Sequence, residues 1–103
     1  MDIINNTAEY DTVLNNNAKV FVDFYADWCG PCKMLGPVVE EVSHEYPDVK
    51  FVKVNVDRLP DVAGRYGIMS IPTMIVFKNG ENAGSAVGFI PKEQIKALVE
   101  RVK

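Results

Sequence analysis

The two cysteines of this chain, Cys29 and Cys32, stand three residues apart, where a strand-like run meets a helix-like run. Residues 19–26 before them are mostly β-branched and aromatic, which is typical of a buried strand. Apolar residues between positions 35 and 46 recur at helical spacing. The pair is therefore predicted at the N-terminus of a helix over residues 30–46, where unpaired N–H groups and the helix dipole favour a negative charge such as a thiolate.

Three kinds of site use a C-x-x-C pair. A tetrahedral zinc site needs four ligands, usually Cys and His, and this chain has two Cys and one His, His44, placed on the polar side of the helix. A purely structural disulfide would close a four-residue loop and contribute only about 2 kcal/mol. Redox chemistry needs two sulfurs that alternate between dithiol and disulfide with little backbone movement, and this spacing favours it.

Two charged residues stand inside runs that look buried. Asp23 shares a strand face with Phe21 and Tyr25, and it precedes Cys29 by six residues. It is either a structural acid with a partner or a functional acid beneath the cysteine pair. Lys53, in the predicted strand over residues 49–56, is either its partner or a lysine that reaches solvent past the strand end.

The remaining elements follow from local signals. A short edge strand is expected near Ile3–Ile4, then a helix capped by Asn6, with Glu9 reaching back to the cap. A short helix opens at Leu59–Pro60, a hairpin turns at Asn79–Gly80, and a last helix has Pro91 in its first turn. The order β-α-β-α-β-α-β-β-α predicts an α/β fold, with a central mixed sheet flanked by helices on both faces and residues 1–103 forming one domain.

The segment from Val22 to Lys33, with its Trp-Cys-Gly-Pro-Cys centre, resembles the active-site segment of thioredoxins, the small dithiol reductants. Similar residues to that family's recur at 53–57, 66–68, 71–73, 77–80 and 87–88, so the resemblance spans essentially the whole chain. It implies the thioredoxin fold and a dithiol–disulfide oxidoreductase that reduces protein disulfides, holds no cofactor and is restored by a thioredoxin reductase.

The resemblance also implies roles for single residues. Cys29 would be the exposed, attacking thiolate and Cys32 the resolving thiol, with Asp23 exchanging a proton with Cys32 and Lys53 close to Asp23. Pro72 would follow a cis peptide bond and face the disulfide. Substrate proteins would dock on a surface with few large side chains, made of Trp28, Gly30, Pro31, Ile71, Pro72 and Gly88.

Charge and hydropathy exclude some classes of partner. The net charge is −3, the pI is near 5.0, and no basic cluster occurs, so we expect no nucleic-acid partner. No apolar run approaches the length of a membrane span, and residues 1–6 lack the basic start and apolar core of a signal peptide. With no cysteine beyond the pair, we expect the cytoplasm as the compartment. The resemblance implies disulfide-containing proteins and a thioredoxin reductase as partners, and we expect a monomer.

Two other functions remain open. Oxidase or isomerase relatives commonly carry histidine just before the second cysteine, where this chain has Pro31. A redox-silent binding module could use the same surface, although it would not need both cysteines. The chain also departs from the commonest thioredoxin pattern at Tyr25, where tryptophan is frequent, and at Phe89, where a small residue is frequent.

Overall fold

The computed structural model describes residues 1–103, in five strands and four helices. In chain order the elements are β1 (Asp2–Ile3), α1 (Thr7–Asn16), β2 (Lys19–Tyr25), α2 (Gly30–Glu45), β3 (Lys50–Asn55), α3 (Pro60–Arg65), β4 (Thr73–Lys78), β5 (Glu81–Val87) and α4 (Lys92–Glu100). This is the predicted order, and the bounds differ by one or two residues. None of the helices is both long and apolar enough to cross a membrane.

The strands form one mixed sheet in the order β1-β3-β2-β4-β5. The β1–β3 and β2–β3 pairs are parallel, whereas the β2–β4 and β4–β5 pairs are antiparallel. Because β2 is paired on both edges and covered on both faces, five of its seven residues are buried. The predicted fold class, a mixed sheet with helices on both faces, is confirmed.

A separate apolar core fills each side of the sheet. On one side α2 and α4 pack over Phe21, Phe51, Met74 and Val76 through Leu35, Val39, Val42, Ile95, Leu98, Val99 and Val102. On the other side α1 and α3 pack over Val20, Val22, Phe24, Val52, Val54, Ile75 and Phe77 through Tyr10 and Val62. Alternate residues of β2 thus point to opposite cores, which places Asp23 on the α2 side, two residues after Phe21.

Local turn and cap chemistry agrees with the sequence in most places. The Asn6 side-chain oxygen accepts the Glu9 N–H at 2.8 Å, but the Glu9 carboxylate accepts the N–H of Asn5, at 3.2 Å, so the predicted return bond to Asn6 is wrong. Pro91 precedes α4 as its N-cap instead of lying in its first turn. The Asn79–Gly80 hairpin is confirmed, with φ of 52° and 81°, as a type I′ turn requires.

Candidate active site

The cysteine pair lies where β2 ends and α2 begins. Cys29 is the N-cap of α2, and its sulfur accepts the backbone N–H of Cys32 at 3.2 Å. Gly30 and Pro31 fill the first turn between them, where a proline lacks only an N–H that would have no partner inside the helix. The two Cα atoms are 5.3 Å apart and the sulfurs form a disulfide, so the predicted redox pair is present in its oxidised form.

Both cysteines are nearly buried. Cys29 is 4 % exposed and Cys32 is 7 % exposed, so the expectation of an exposed Cys29 is wrong for the oxidised protein. Their surroundings differ instead. The Cys29 sulfur lies 3.9 Å from the Ile71 carbonyl oxygen, whereas Cys32 lines two clefts together with Lys33 and Lys53.

The segment before β4 packs against the pair. Ile71 contacts the small buried cluster that contains both cysteines, and the Ile71–Pro72 peptide bond is cis, as the resemblance implies. The Pro72 carbonyl accepts the N–H of Gly88 at 2.7 Å, which joins this segment to the end of β5. Pro72 itself is buried, so the accessible surface here comes from Ile71 and Gly88.

Trp28 is the large exposed side chain beside the pair. It is 72 % exposed, and its indole N–H donates to the Asp57 carboxylate at 2.9 Å. Sequence reasoning did not find Asp57. The buried Asn55 side chain accepts the Asp57 N–H at 2.9 Å in the turn after β3. The signal was available, because parallel neighbours β2 and β3 end at the same edge of the sheet and the residues that follow them meet there.

Asp23 is the buried acid of the site. It pairs in register with Lys53 on β3 and with Met74 on β4, and it is 1 % exposed. Its Oδ1 atom is buried and has no hydrogen-bond partner. Desolvation raises the pKa of Asp23 to about 6, and the positive charge of Lys53 only partly opposes this shift.

Lys53 is a neighbour of Asp23 but not its ion-pair partner. None of the salt bridges in the structure joins the two residues, and the Lys53 ammonium instead lies 4.4 Å from the centroid of the Tyr25 ring. The lysine is half-buried, so the alternative in which it reaches toward solvent past the strand is the nearer description. Of the two alternatives for Lys53, the structure favours the one without an ion pair, and the expected proximity to Asp23 holds.

The donor set does not resemble a metal site. No group of three or more His, Cys, Asp and Glu side chains is arranged to hold an ion. The single histidine, His44, is exposed and stands 4.0 Å from Glu40, one turn away on α2. What the arrangement can do is exchange two electrons between the sulfurs and a partner, beside a buried carboxyl group.

Known proteins resemble this chain over nearly its whole length. The thioredoxin family model matches residues 2–101. A thioredoxin of Mycoplasmoides gallisepticum is 51% identical over 97% of this chain and 100% of its own length. A thioredoxin of Bacillus subtilis is 45% identical over 98% of each chain. The solved structure of Plasmodium falciparum thioredoxin covers 100% of both chains with a TM-score of 0.94 and 38% identity. The chain therefore belongs to the thioredoxin family and is a dithiol–disulfide oxidoreductase.

Proposed function

We propose that this protein reduces disulfides of other proteins, with Cys29 as the attacking sulfur. The observation that carries this assignment is the hydrogen bond from the Cys32 N–H to the Cys29 sulfur at the start of the 16-residue helix α2. In the reduced protein the same N–H and the helix dipole would stabilise a Cys29 thiolate. Only a thiolate attacks a disulfide, so the sulfur at the N-cap has the advantage.

The reaction proceeds in two exchanges. The Cys29 thiolate attacks one sulfur of the substrate disulfide, forms a mixed disulfide and displaces the other substrate sulfur as a thiolate. Cys32 then loses its proton and attacks Cys29, which closes the Cys29–Cys32 disulfide and releases the second substrate sulfur. The substrate gains two electrons and takes up two protons, and the pair is left oxidised. A thioredoxin reductase would return the two electrons.

Asp23 is proposed as the base that takes the Cys32 proton. A carboxyl group with a pKa of about 6 is mostly ionised at pH 7, and it holds a proton more readily than an exposed aspartate does. Asp23 lies on the face of the sheet that α2 covers, and Cys32 and Lys53 line the same two clefts. The proton would pass from Cys32 to Asp23 through water, with Lys53 as a nearby charge.

The docking surface is proposed around the disulfide. Trp28, Gly30 and Pro31 are exposed on one side. On the other side Ile71 and Gly88 are accessible, with Pro72 buried between β4 and the pair. An extended substrate segment could pair with the backbone beside Pro72, as in strand addition. Phe89 is 48 % exposed directly after Gly88, so it adds apolar area at the rim of this surface.

The setting of the reaction is also part of the proposal. We take residues 1–103 to act as one domain and as a monomer, since one sheet carries both cysteines, Asp23 and the surrounding surface. The cytoplasm is the proposed compartment, because both cysteines belong to the redox pair and none serves as a structural bridge elsewhere. Here the protein would carry electrons from its reductase to disulfide proteins.

Serine variants of each cysteine test the proposed roles. We expect Cys29→Ser to abolish reduction of a disulfide-bonded protein. We expect Cys32→Ser to accumulate a long-lived mixed disulfide, because its Cys29 can attack but no thiol resolves the adduct. Mass spectrometry of the trapped adduct locates the bond. Normal turnover by Cys32→Ser would overturn the assignment. A double serine variant that reduces no disulfide but keeps the parent's activity in cells would favour a redox-silent binding function.

A further inference from the structure

The Lys53 ammonium has two neighbours that attract it, the Asp23 carboxyl group and the Tyr25 ring. Lys53 and Asp23 are register partners on parallel strands, so their side chains leave the sheet side by side on the same face. Tyr25 lies two residues beyond Asp23 on that face, toward the cysteine pair. The ammonium lies over the Tyr25 ring, 4.4 Å from its centroid, and makes no ion pair with Asp23.

The physical reason lies in what each position costs. An ion pair with Asp23 would bring the ammonium beside a carboxyl group that is 1 % exposed, and removing an ammonium from water is expensive. The face of an aromatic ring attracts a cation and leaves it partly hydrated. The half-buried Tyr25 offers such a face along the path from Lys53 to solvent.

We propose that Tyr25 is a positioning residue, whose ring holds the Lys53 ammonium away from Asp23 and so keeps that carboxyl group unpaired beneath the redox helix. The unpartnered Oδ1 of Asp23 is the second observation that supports this arrangement. It deepens the proposed function and rests on it, because an unpaired acid at this place matters for the reaction only if Asp23 exchanges a proton with Cys32.

Few other charged groups face this part of the molecule. Asp27 and Arg58 approach Tyr25 from the loops after β2 and β3 and are 3.8 Å from each other. From α2, Lys33 and Glu40 line the clefts that Lys53 shares, and Cys32 is titratable once reduced. The N-terminal ammonium of Met1 lines one of these clefts and pairs with Glu40 at 3.2 Å. From β4, the register partner of Asp23 is the uncharged Met74. Burial is the main cause of the raised pKa of Asp23, and Lys53 is the charge that opposes it.

The Tyr25 hydroxyl is not required by this proposal. Burial, followed by the Asp27 carboxylate, raises the pKa of Tyr25, so the side chain stays neutral and acts through its ring. Two substitutions can therefore test the ring and the hydroxyl independently. Tyr25→Phe keeps the ring face and removes the hydroxyl, whereas Tyr25→Leu removes the ring and keeps an apolar side chain.

The pKa of Asp23 is measured by NMR titration of its carboxyl carbon in the oxidised protein. We expect Tyr25→Phe to leave this pKa unchanged. We expect Tyr25→Leu to lower it by about half a unit to one unit, because Lys53 is then free to approach the carboxylate. An unchanged pKa in Tyr25→Leu, or an equal fall in Tyr25→Phe, would overturn the proposal. Tyr25→Ile replaces the leucine variant if the latter is misfolded.

A second pair of variants distinguishes movement of the lysine from entry of water. Losing the ring could also lower the pKa of Asp23 by admitting solvent, so Tyr25→Leu is repeated in a Lys53→Met protein. The proposal predicts no further fall there, since no cation remains to move. An equal fall in both backgrounds would assign the effect to hydration and overturn the role of Lys53.

A separate experiment tests whether Asp23 takes the proton of Cys32. Release of substrate from a preformed Cys29 mixed disulfide is followed against pH in the parent and in Tyr25→Leu. If Asp23 serves Cys32, the midpoint of that profile moves with the Asp23 pKa. A moved pKa with an unmoved profile would leave the Tyr25–Lys53 arrangement standing and would refute Asp23 as the base.

Discussion

At the scale of single residues, Asp23 is the one charged residue that is buried, and its charge has little compensation. Its carboxyl group is covered by the sheet and α2, its Oδ1 atom lacks a partner, and the nearest cation is turned toward Tyr25. A buried carboxylate without a partner destabilises the folded state. The same environment yields a group that takes up a proton more readily than an exposed aspartate does, so a cost in stability and a proposed chemical use have one physical origin.

This cost has a definite sign with pH. The folded pKa of about 6 lies above the model value of 3.8, so the folded protein keeps the Asp23 proton to higher pH than the unfolded chain does. Stability therefore falls as pH rises from about 4 to about 6, and the full penalty remains at pH 7. We expect Asp23→Asn to be more stable than the parent at pH 7 by about 1–3 kcal/mol.

Denaturant unfolding of the oxidised proteins from pH 4 to pH 8 measures this difference. The gain should shrink below pH 6 and be nearly absent at pH 4, and reduction of substrates should slow because Cys32 loses its proposed base. Asp27→Asn is the matched control, since Asp27 is exposed and its ion pair with Arg58 contributes little. A less stable Asp23→Asn at pH 7 would identify Asp23 as a well-compensated structural ion.

At the scale of elements, the site depends on where segments end. The ends of β2 and β3, the start of α2, the segment before β4 and the end of β5 meet at one edge of the sheet. The helices α1 and α3 cover the face of the sheet opposite to α2. They contribute to the second core and not to the small cluster that contains the two cysteines. Changes in α1 and changes around Gly88 should therefore have different consequences.

The cap of α1 should affect stability alone. Asn6→Ala removes the oxygen that accepts the Glu9 N–H, which should cost about 1 kcal/mol. Asn6→Ser retains an acceptor and should cost much less. Urea unfolding would show a lower midpoint with an unchanged slope for Asn6→Ala. Disulfide reductase activity should be unaltered, and a clear loss of activity would mean that α1 is coupled to the site.

The docking surface can be tested at Gly88. Its φ of +89° strains any other residue, but a Cβ atom there would meet nothing within 4 Å. Gly88→Ala and Gly88→Asp thus share the backbone strain, and only the second adds a charge to an apolar surface. We expect Gly88→Asp to slow reduction of a protein disulfide far more than Gly88→Ala does. Both should reduce the small uncharged bis(2-hydroxyethyl) disulfide alike, and equal losses on both substrates would remove the docking surface from the proposal.

At the scale of the whole molecule, one sheet and two cores hold a reactive pair on a rigid frame. The strand β2 connects both cores to the site. It contributes residues to each core and ends just before the cysteine pair. The exposed large apolar side chains include Trp28, Met34, Met69, Val87 and Phe89. Of these, Trp28 and Phe89 belong to the proposed docking surface.

The direction of electron flow is a property of this whole frame. Equilibration of the Cys29–Cys32 couple with glutathione, read by mass spectrometry, gives its reduction potential. We expect a reducing value of about −270 mV, as for thioredoxins in general. A potential well above the cytosolic glutathione poise would favour the oxidase or isomerase function instead.

The sequence by itself determined what depends on neighbours along the chain. Strand and helix periodicity, the Asn6 cap, the Asn79–Gly80 turn and the cysteine pair at a helix start are all local features, and the structure contains each of them. The fold class also followed, because the order of elements leaves few ways to cover a sheet on both faces. A charged residue inside a strand was enough to single out Asp23.

Only the tertiary structure decided which distant groups touch. It turned Lys53 onto Tyr25 instead of Asp23, joined Trp28 to Asp57, and buried Cys29 as deeply as Cys32. Each outcome is a competition between solvation and a contact made across strands or loops. Long side chains such as lysine can satisfy several neighbours at similar cost, so their final positions depend on three-dimensional surroundings that sequence periodicity does not contain.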